Sequence, residues 1–136
     1  MRESDTLAAT ALDRRQVLIV EDEPFIAFDL ADAIESSGGT VVGPASTVRE
    51  ALQLLDKQTV EAAILDVNLP DGDVGPVIAA LAAREIVFLV HTGAGLTPEL
   101  QRLYPSLRVF SKPTPPPLLA NIIAASLAGT GNASHP

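Results

Sequence analysis

Cysteine and tryptophan are absent from this 136-residue chain, which has one methionine, one tyrosine and four phenylalanines. Without cysteine there is no disulfide, no thiol nucleophile and no cysteine-ligated zinc. Two histidines, His91 and His135, leave little for a histidine metal site or a Ser-His triad. Basic residues are also scarce: 9 Lys+Arg stand against 17 Asp+Glu, a formal net charge of -8. That charge repels phosphate backbones and anionic lipid, so neither nucleic acid nor a membrane surface is expected as a partner. No apolar run reaches the ~18 residues that would cross a bilayer. Met1 to Asp5 carries acids and leads into no long apolar segment, so a secretory signal is not expected and a cytoplasmic location is. What is there, 47% hydrophobic and 19% charged residues in a length suited to one domain, describes a small acidic globular unit.

The apolar pattern divides the chain into five strand-then-helix units. Val17-Leu18-Ile19-Val20 is a continuous apolar run of the kind a strand buried on both faces shows. It ends in Glu21-Asp22-Glu23, and Pro24 opens a helix on Ile26, Leu30, Ala33 and Ile34, stopped by Gly38-Gly39. Thr40-Val41-Val42 is a second strand, and Thr47 and Glu50 are spaced as a capping box for a helix burying Val48, Ala51, Leu52 and Leu55. A third strand, Ala62-Ala63-Ile64-Leu65, ends at Asp66; the loop Asn68-Leu69-Pro70-Asp71-Gly72 leads to a helix with Val77, Ile78 and Leu81. The fourth strand, Ile86 to Val90, runs into His91-Thr92-Gly93, and Thr97-Pro98-Glu99 opens a short helix. The fifth strand, Arg108 to Ser111, meets Lys112-Pro113, and a last helix on Leu118, Leu119, Ile122, Ile123 and Leu127 starts within Pro115 to Pro117. Strict alternation predicts an open α/β doubly wound parallel sheet over residues 15–128, with tails at 1–14 and 129–136 and no output domain. One weak apolar patch in the first tail, Leu7 to Leu12, is long enough for an extra helical turn.

In such a sheet ligands bind beyond the carboxyl ends of the strands. Glu21 and Asp22 end the first strand, Asp66 the third, Thr92 the fourth and Lys112 the fifth, so residues from four places in the sequence meet at one rim. Crowded carboxylates repel one another unless a cation joins them, and an oxygen-only donor set suits Mg²⁺. A carboxylate beside a cation, an ammonium and a hydroxyl is the equipment of phosphoryl transfer. Lys112 is one of only two lysines in the chain.

Four segments together, Val17 to Pro24, Leu65 to Gly72, Thr92-Gly93 and Lys112-Pro113, resemble the receiver domain of two-component response regulators, with nearly all of residues 15–128 covered. Phe88 to Gly93 is further similar to the Thr-Gly segment that follows strand four in stand-alone receivers of alphaproteobacteria. The resemblance implies a flavodoxin-like sheet of strand order 2-1-3-4-5, with Asp66 as phosphoacceptor and Thr92 and Lys112 on the phosphoryl oxygens. It implies Mg²⁺ on Asp22, Asp66 and the Asn68 backbone carbonyl, with Glu21 acting largely through water, and a cis Lys112–Pro113 bond. The partners it implies are a sensor histidine kinase or histidine phosphotransfer protein and a downstream protein, the chain itself being a monomer or weak homodimer that catalyses only its own phosphorylation and dephosphorylation. Two positions depart from the family: Val109 stands where an aromatic is usual, and Thr114 follows Lys-Pro where an aromatic is common.

Plainer roles account for several neighbours. Glu23 is read as a capping acid, Asp71 and Asp73 as turn and cap residues, Asp29, Asp32 and Glu35 as a solvated helix face, and His91 as a structural histidine facing away from Thr92. Two alternatives to phosphorylation-controlled signalling (or a phosphate sink) are a degenerate receiver that only binds partners and a phosphatase of the haloacid-dehalogenase type. The second requires a general acid two residues after the nucleophile, where this chain has Asn68.

Overall fold

Apolar strands can bury both faces only if helices cover each side, and the computed structural model, which describes residues 10–130, has that layering. In chain order it contains β1 (Gln16–Val20), α1 (Pro24–Ser36), β2 (Thr40–Ala45), α2 (Val48–Lys57) and β3 (Ala62–Leu65). A minimal hairpin follows, β4 (Asn68–Leu69) and β5 (Gly72–Asp73), then α3 (Gly75–Ala83), β6 (Val87–Thr92), α4 (Pro98–Leu103), β7 (Val109–Ser111) and α5 (Pro116–Thr130). Five strands pair in parallel in the order β2-β1-β3-β6-β7. With the hairpin set aside this is the expected 2-1-3-4-5 sheet.

The period-2 alternation of strands divides the core in two. Leu18, Val20, Ala63, Leu65 and Val90 face a cluster completed by Val48, Ala51 and Leu55 of α2, Val77, Ile78 and Leu81 of α3, and Leu100 of α4. Val17, Ile19, Ala62, Ile64 and Leu89 face the other way, against Leu30, Ala33 and Ile34 of α1 and Leu119, Ala120, Ile123 and Leu127 of α5. The expected helix starts are in place: Glu23 accepts from the Ile26 amide at 2.9 Å, Thr47 from that of Glu50 at 3.0 Å, and Thr97 from that of Leu100 at 3.2 Å.

Several details differ from the sequence reading, among them a β2 that runs on through Gly43 and Pro44 to Ala45 and a two-strand hairpin in place of the loop after Asp66. Leu118, expected in the core, is exposed, because the buried stripe of α5 repeats at Leu119, Ile123 and Leu127, four residues apart. Strand β6 runs two residues further than its apolar run, so Thr92 is its last residue and not part of a loop. And residues 10–14, assigned to a tail, form a turn that belongs to the domain. Leu12 is fully buried in the α1/α5 layer, and the amides of Leu12 and Arg14 donate to the Ser37 and Gly38 carbonyls, both at 2.8 Å. Gly39 makes room for it, since a Cβ there would lie 2.8 Å from Leu12 Cδ1. The apolar patch Leu7 to Leu12 signals a turn here, and what it does not show is that Leu12 is buried. In the second expected tail, residues 129 and 130 end α5, and residues 1–9 and 131–136 lie outside those described. Among the described residues no helix is long and apolar enough to cross a membrane.

Because Leu12 fills the space beneath α1, Leu12→Ala is expected to cost about 3 kcal/mol of stability in urea denaturation. A loss under about 0.5 kcal/mol, the size typical of surface positions, would mean that the turn is not part of the core.

Candidate functional site

The carboxyl ends of β1, β3, β6 and β7 are adjacent in the sheet, and each delivers one part of the site. Glu21 continues β1, its amide donating to the Ala45 carbonyl at 2.9 Å; Asp66 continues β3, its amide donating to the Val20 carbonyl at 2.8 Å. Both carboxylates are therefore held by strand backbone, and both are buried. Thr92 is buried at the end of β6, where its Oγ1 accepts from the Ala94 amide at 3.3 Å. Lys112 follows β7 with its own amide donating to the Thr92 carbonyl at 2.9 Å. The bond from Lys112 to Pro113 is cis.

Lys112 Nζ lies between the two buried acids, 2.8 Å from Glu21 Oε1 and 3.0 Å from Asp66 Oδ2. The remaining oxygens accept backbone N–H groups: Glu21 Oε2 from Glu23 at 3.1 Å, and Asp66 Oδ1 from Val67 at 2.7 Å. Asp22 is exposed, yet oxygens of Glu21, Asp22 and Asp66 lie within 4.8 Å of one another. Asn68 opens the hairpin strand β4, two residues beyond Asp66, and is exposed. Three acids against one lysine leave an excess of negative charge, and every donor is oxygen. A hard divalent cation such as Mg²⁺ fits that chemistry, since each carboxylate oxygen can take a second partner beside the one it has.

The acid–lysine bridge leaves its mark on the titration of both partners. Burial pushes the Glu21 carboxyl above its ordinary 4.5, with the Asp66 charge adding to the effect; the Lys112 hydrogen bond and the Glu23 amide oppose it without cancelling it. Burial pulls the Lys112 ammonium down, but its bonds to Glu21 and Asp66 outweigh that and hold it above 10.5. The stability that Lys112 contributes is thus complete below 10.5 and is lost only as pH rises through the higher folded value. His91 is buried on the α1/α5 side, as strand alternation implies. Its Nε2 faces the Thr114 amide at 3.4 Å, and its Nδ1 is buried without a hydrogen-bond partner. Burial first, and the Lys112 charge second, lower its pKa below 6.5, so the ring is neutral at neutral pH and is not a cation of the site.

The structure thus gathers Glu21, Asp22, Asp66 and Lys112 into one cluster, with Thr92 against the Lys112 backbone and Asn68 on the adjoining hairpin. Asp73 is a local cap, accepting from the Gly75 amide at 2.8 Å. Asp71 is not local: its carboxylate reaches the first amides of α2, a partner that no spacing in the sequence discloses.

Glu21 must ionise in a buried place, so stability falls as pH rises through its raised pKa and is higher again below 4.5. Glu21→Gln is therefore expected to raise the melting temperature at pH 7 while weakening Mg²⁺ binding in calorimetry. A lower melting temperature would mean that the Lys112 bridge outweighs the burial of Glu21.

Comparison with known proteins agrees with this arrangement. Residues 17–110 match the response regulator receiver domain family, a match that ends just before Lys112. The chain is 34% identical over 85 residues to the transcriptional regulatory protein PdtaR of Mycobacterium tuberculosis, covering 62% of this chain and 42% of that one. It is 41% identical over 61 residues to the phyllosphere-induced regulator PhyR of Methylorubrum extorquens, covering 44% of this chain and 23% of that one. The chain therefore spans less than half the length of these curated relatives. Among solved structures, SdrG from Sphingomonas melonis Fr1 superposes with a TM-score of 0.69 at 38% identity, over 85% of this chain and 97% of that one. The response regulator PhyR from Brucella abortus does so with a TM-score of 0.68 at 30% identity, over 90% of this chain and 53% of that one. With the fold, the acid cluster and the family match in agreement, the chain belongs to the response regulator receiver domain family.

Proposed function

We propose that Asp66 accepts a phosphoryl group from a phosphohistidine on a sensor kinase or phosphotransfer protein, and that the phosphorylated chain signals through contacts with a further protein or serves as a phosphate sink. The observation that carries this reading is Lys112 Nζ, 2.8 and 3.0 Å from the two buried carboxylates, with the exposed Asp22 beside them. An Asp66 oxygen attacks phosphorus, the P–N bond breaks as the O–P bond forms, and the electron pair leaves with the imidazole nitrogen. Water later attacks the same phosphorus, returning the carboxylate and releasing inorganic phosphate. Asp66 Oδ2 is the better candidate for the nucleophile, since its partner is the Lys112 side chain at 3.0 Å, which can turn to the phosphoryl group, whereas Oδ1 is held by the Val67 backbone amide at 2.7 Å.

The chain's own groups supply most of what the transfer needs. Lys112 can exchange its bond to Asp66 for one to a phosphoryl oxygen while keeping Glu21 at 2.8 Å, so its ammonium is already in place when charge develops. Thr92 offers a hydroxyl, and Gly93 leaves the approach open, since a Cβ there would meet only the Lys112 Cδ, at 3.9 Å. Mg²⁺, held by Glu21, Asp22, Asp66 and the Asn68 carbonyl, would contribute positive charge to the phosphoryl oxygens. The reaction is on the protein itself, so the chain is a switch and not a turnover enzyme on a metabolite. Cytoplasmic location follows from that partnership.

A protein donor must dock next to Asp66, and α1 begins immediately after the acid cluster. Two of the chain's four phenylalanines, Phe25 and Phe28, sit on α1 with 81% and 69% of their surface exposed. They supply the apolar contact such a donor would use.

Incubation with Mg²⁺ and acetyl phosphate, followed by intact mass, tests the acceptor. One added phosphoryl group is expected on the native chain and none on Asp66→Asn or without Mg²⁺. No adduct from acetyl phosphate or from a phosphorylated kinase would overturn the reading in favour of a phosphorylation-independent binding module. With Phe25→Ala/Phe28→Ala, transfer from a protein donor should slow about tenfold while labelling by acetyl phosphate is unchanged.

A further inference from the structure

The hairpin β4–β5 carries the Asn68 carbonyl, and it is too short to hold itself. Its pairing consists of Asn68 with Asp73 and Leu69 with Gly72, and two-stranded hairpins of that size have no independent stability in water. The base is fixed from below, where Val67, Leu69 and Val74 are buried and the Val74 amide donates to the Val67 carbonyl at 2.9 Å. The tip, Pro70 to Gly72, is exposed. What holds the tip is Asp71, whose Oδ1 accepts from the Val48 amide at 2.8 Å and whose Oδ2 accepts from the Arg49 amide at 3.0 Å.

Helix α2 has little need of this. Thr47 already caps it at the Glu50 amide, and Glu50 Oε1 reaches back to the Ser46 amide at 2.9 Å. First-turn amides at an exposed helix end are met by water when no side chain reaches them. Each oxygen of Asp71 is instead committed to a separate amide across 22 and 23 residues of sequence, which fixes the orientation of the carboxylate as well as its position. The element that gains most from that grip is the hairpin. The same two amides hold Asp71 below its ordinary 3.8, so the carboxylate stays ionised, and the grip stays intact, until pH falls below that value.

We propose that Asp71 is a positioning residue for the cation site: by capping α2 from the hairpin tip it holds in place the segment from Asp66 to Asp73, and with it the Asn68 carbonyl. This rests on the Mg²⁺-dependent reading above. It also makes α2 a reporter of the site, because any adjustment of Asn68 is passed through Asp71 to Val48 and Arg49.

The test compares Mg²⁺ affinity by calorimetry for the full chain, Asp71→Asn and Thr47→Ala. Both substitutions weaken the start of α2, but only the first releases the hairpin. Asp71→Asn is expected to weaken Mg²⁺ binding about tenfold, the low end of what supporting residues around metal sites contribute, and Thr47→Ala to leave it unchanged. Equal affinity of Asp71→Asn and the native chain, or equal losses in both variants, would reduce Asp71 to a helix cap. Should Asp71→Asn fail to fold, the native chain decides the matter: Mg²⁺ is expected to shift the Val48 and Arg49 amide signals, and unmoved signals overturn the proposal. A native chain that binds no Mg²⁺ overturns both this proposal and the Mg²⁺-dependent reading beneath it. Acetyl-phosphate labelling that depends on Mg²⁺ while Asp71→Asn is normal overturns this one alone.

Discussion

Two carboxylates buried within reach of one ammonium are the constraint on which the rest of the site depends. Neither Glu21 nor Asp66 can be buried ionised without a partner, because the cost of desolvating a lone charge exceeds what packing returns. Lys112 supplies that partner for both, 2.8 Å from one and 3.0 Å from the other. The arrangement settles charge without saturating it, since a third acid lies within 4.8 Å and remains exposed. An incompletely neutralised cluster of this kind is poised to take up positive charge from outside, while the burial of its acids, Glu21 above all, costs the fold stability. Site and fold are in that respect opposed, as the upward displacement of the Glu21 pKa records.

The parallel sheet is what makes the constraint affordable. Asp66 and Glu21 extend strands whose neighbours pair on both sides, so their backbones are fixed before their side chains meet. The alternation that assigns Val90 to one layer and Leu89 to the other also sends Thr92 and His91 apart. One strand end therefore serves two purposes: Thr92 lies next to Lys112, while the neutral His91 fills space under the loop that carries Lys112 and Thr114.

Much of this was legible in the sequence. Continuous apolar runs ending in Glu21-Asp22, Asp66, Thr92 and Lys112 identify both the strands and the rim, because buried parallel strands and strand-end chemistry leave strong local patterns. Glu23, Thr47 and Thr97 are read correctly as caps for the same reason: each acts within three residues of itself. What the sequence does not disclose are contacts between distant segments that follow no period. Leu12 is one: the patch Leu7 to Leu12 marks a turn there, but not its burial in a cluster drawn from residues as far apart as Val17 and Leu127. Asp71 is another, a turn residue by composition whose bonds go to α2. The exposure of Leu118 belongs to a related class, since an α5 that is apolar nearly all round does not announce which stripe faces inward.

The two borders of the sheet limit how another protein can approach it. At one border is β2, whose pairing with β1 is broken by a register shift between Leu18 and Val20 and whose own run includes Pro44, which has no N–H to offer. At the other is β7, three residues long, with Pro105 shortly before it and Pro113 shortly after. Short, irregular, proline-flanked borders are poor templates for an added strand. A partner cannot readily extend this sheet through main-chain hydrogen bonds, so recognition falls to the side chains of helices and loops, where specificity can change without disturbing the strands that hold Asp66 and Lys112.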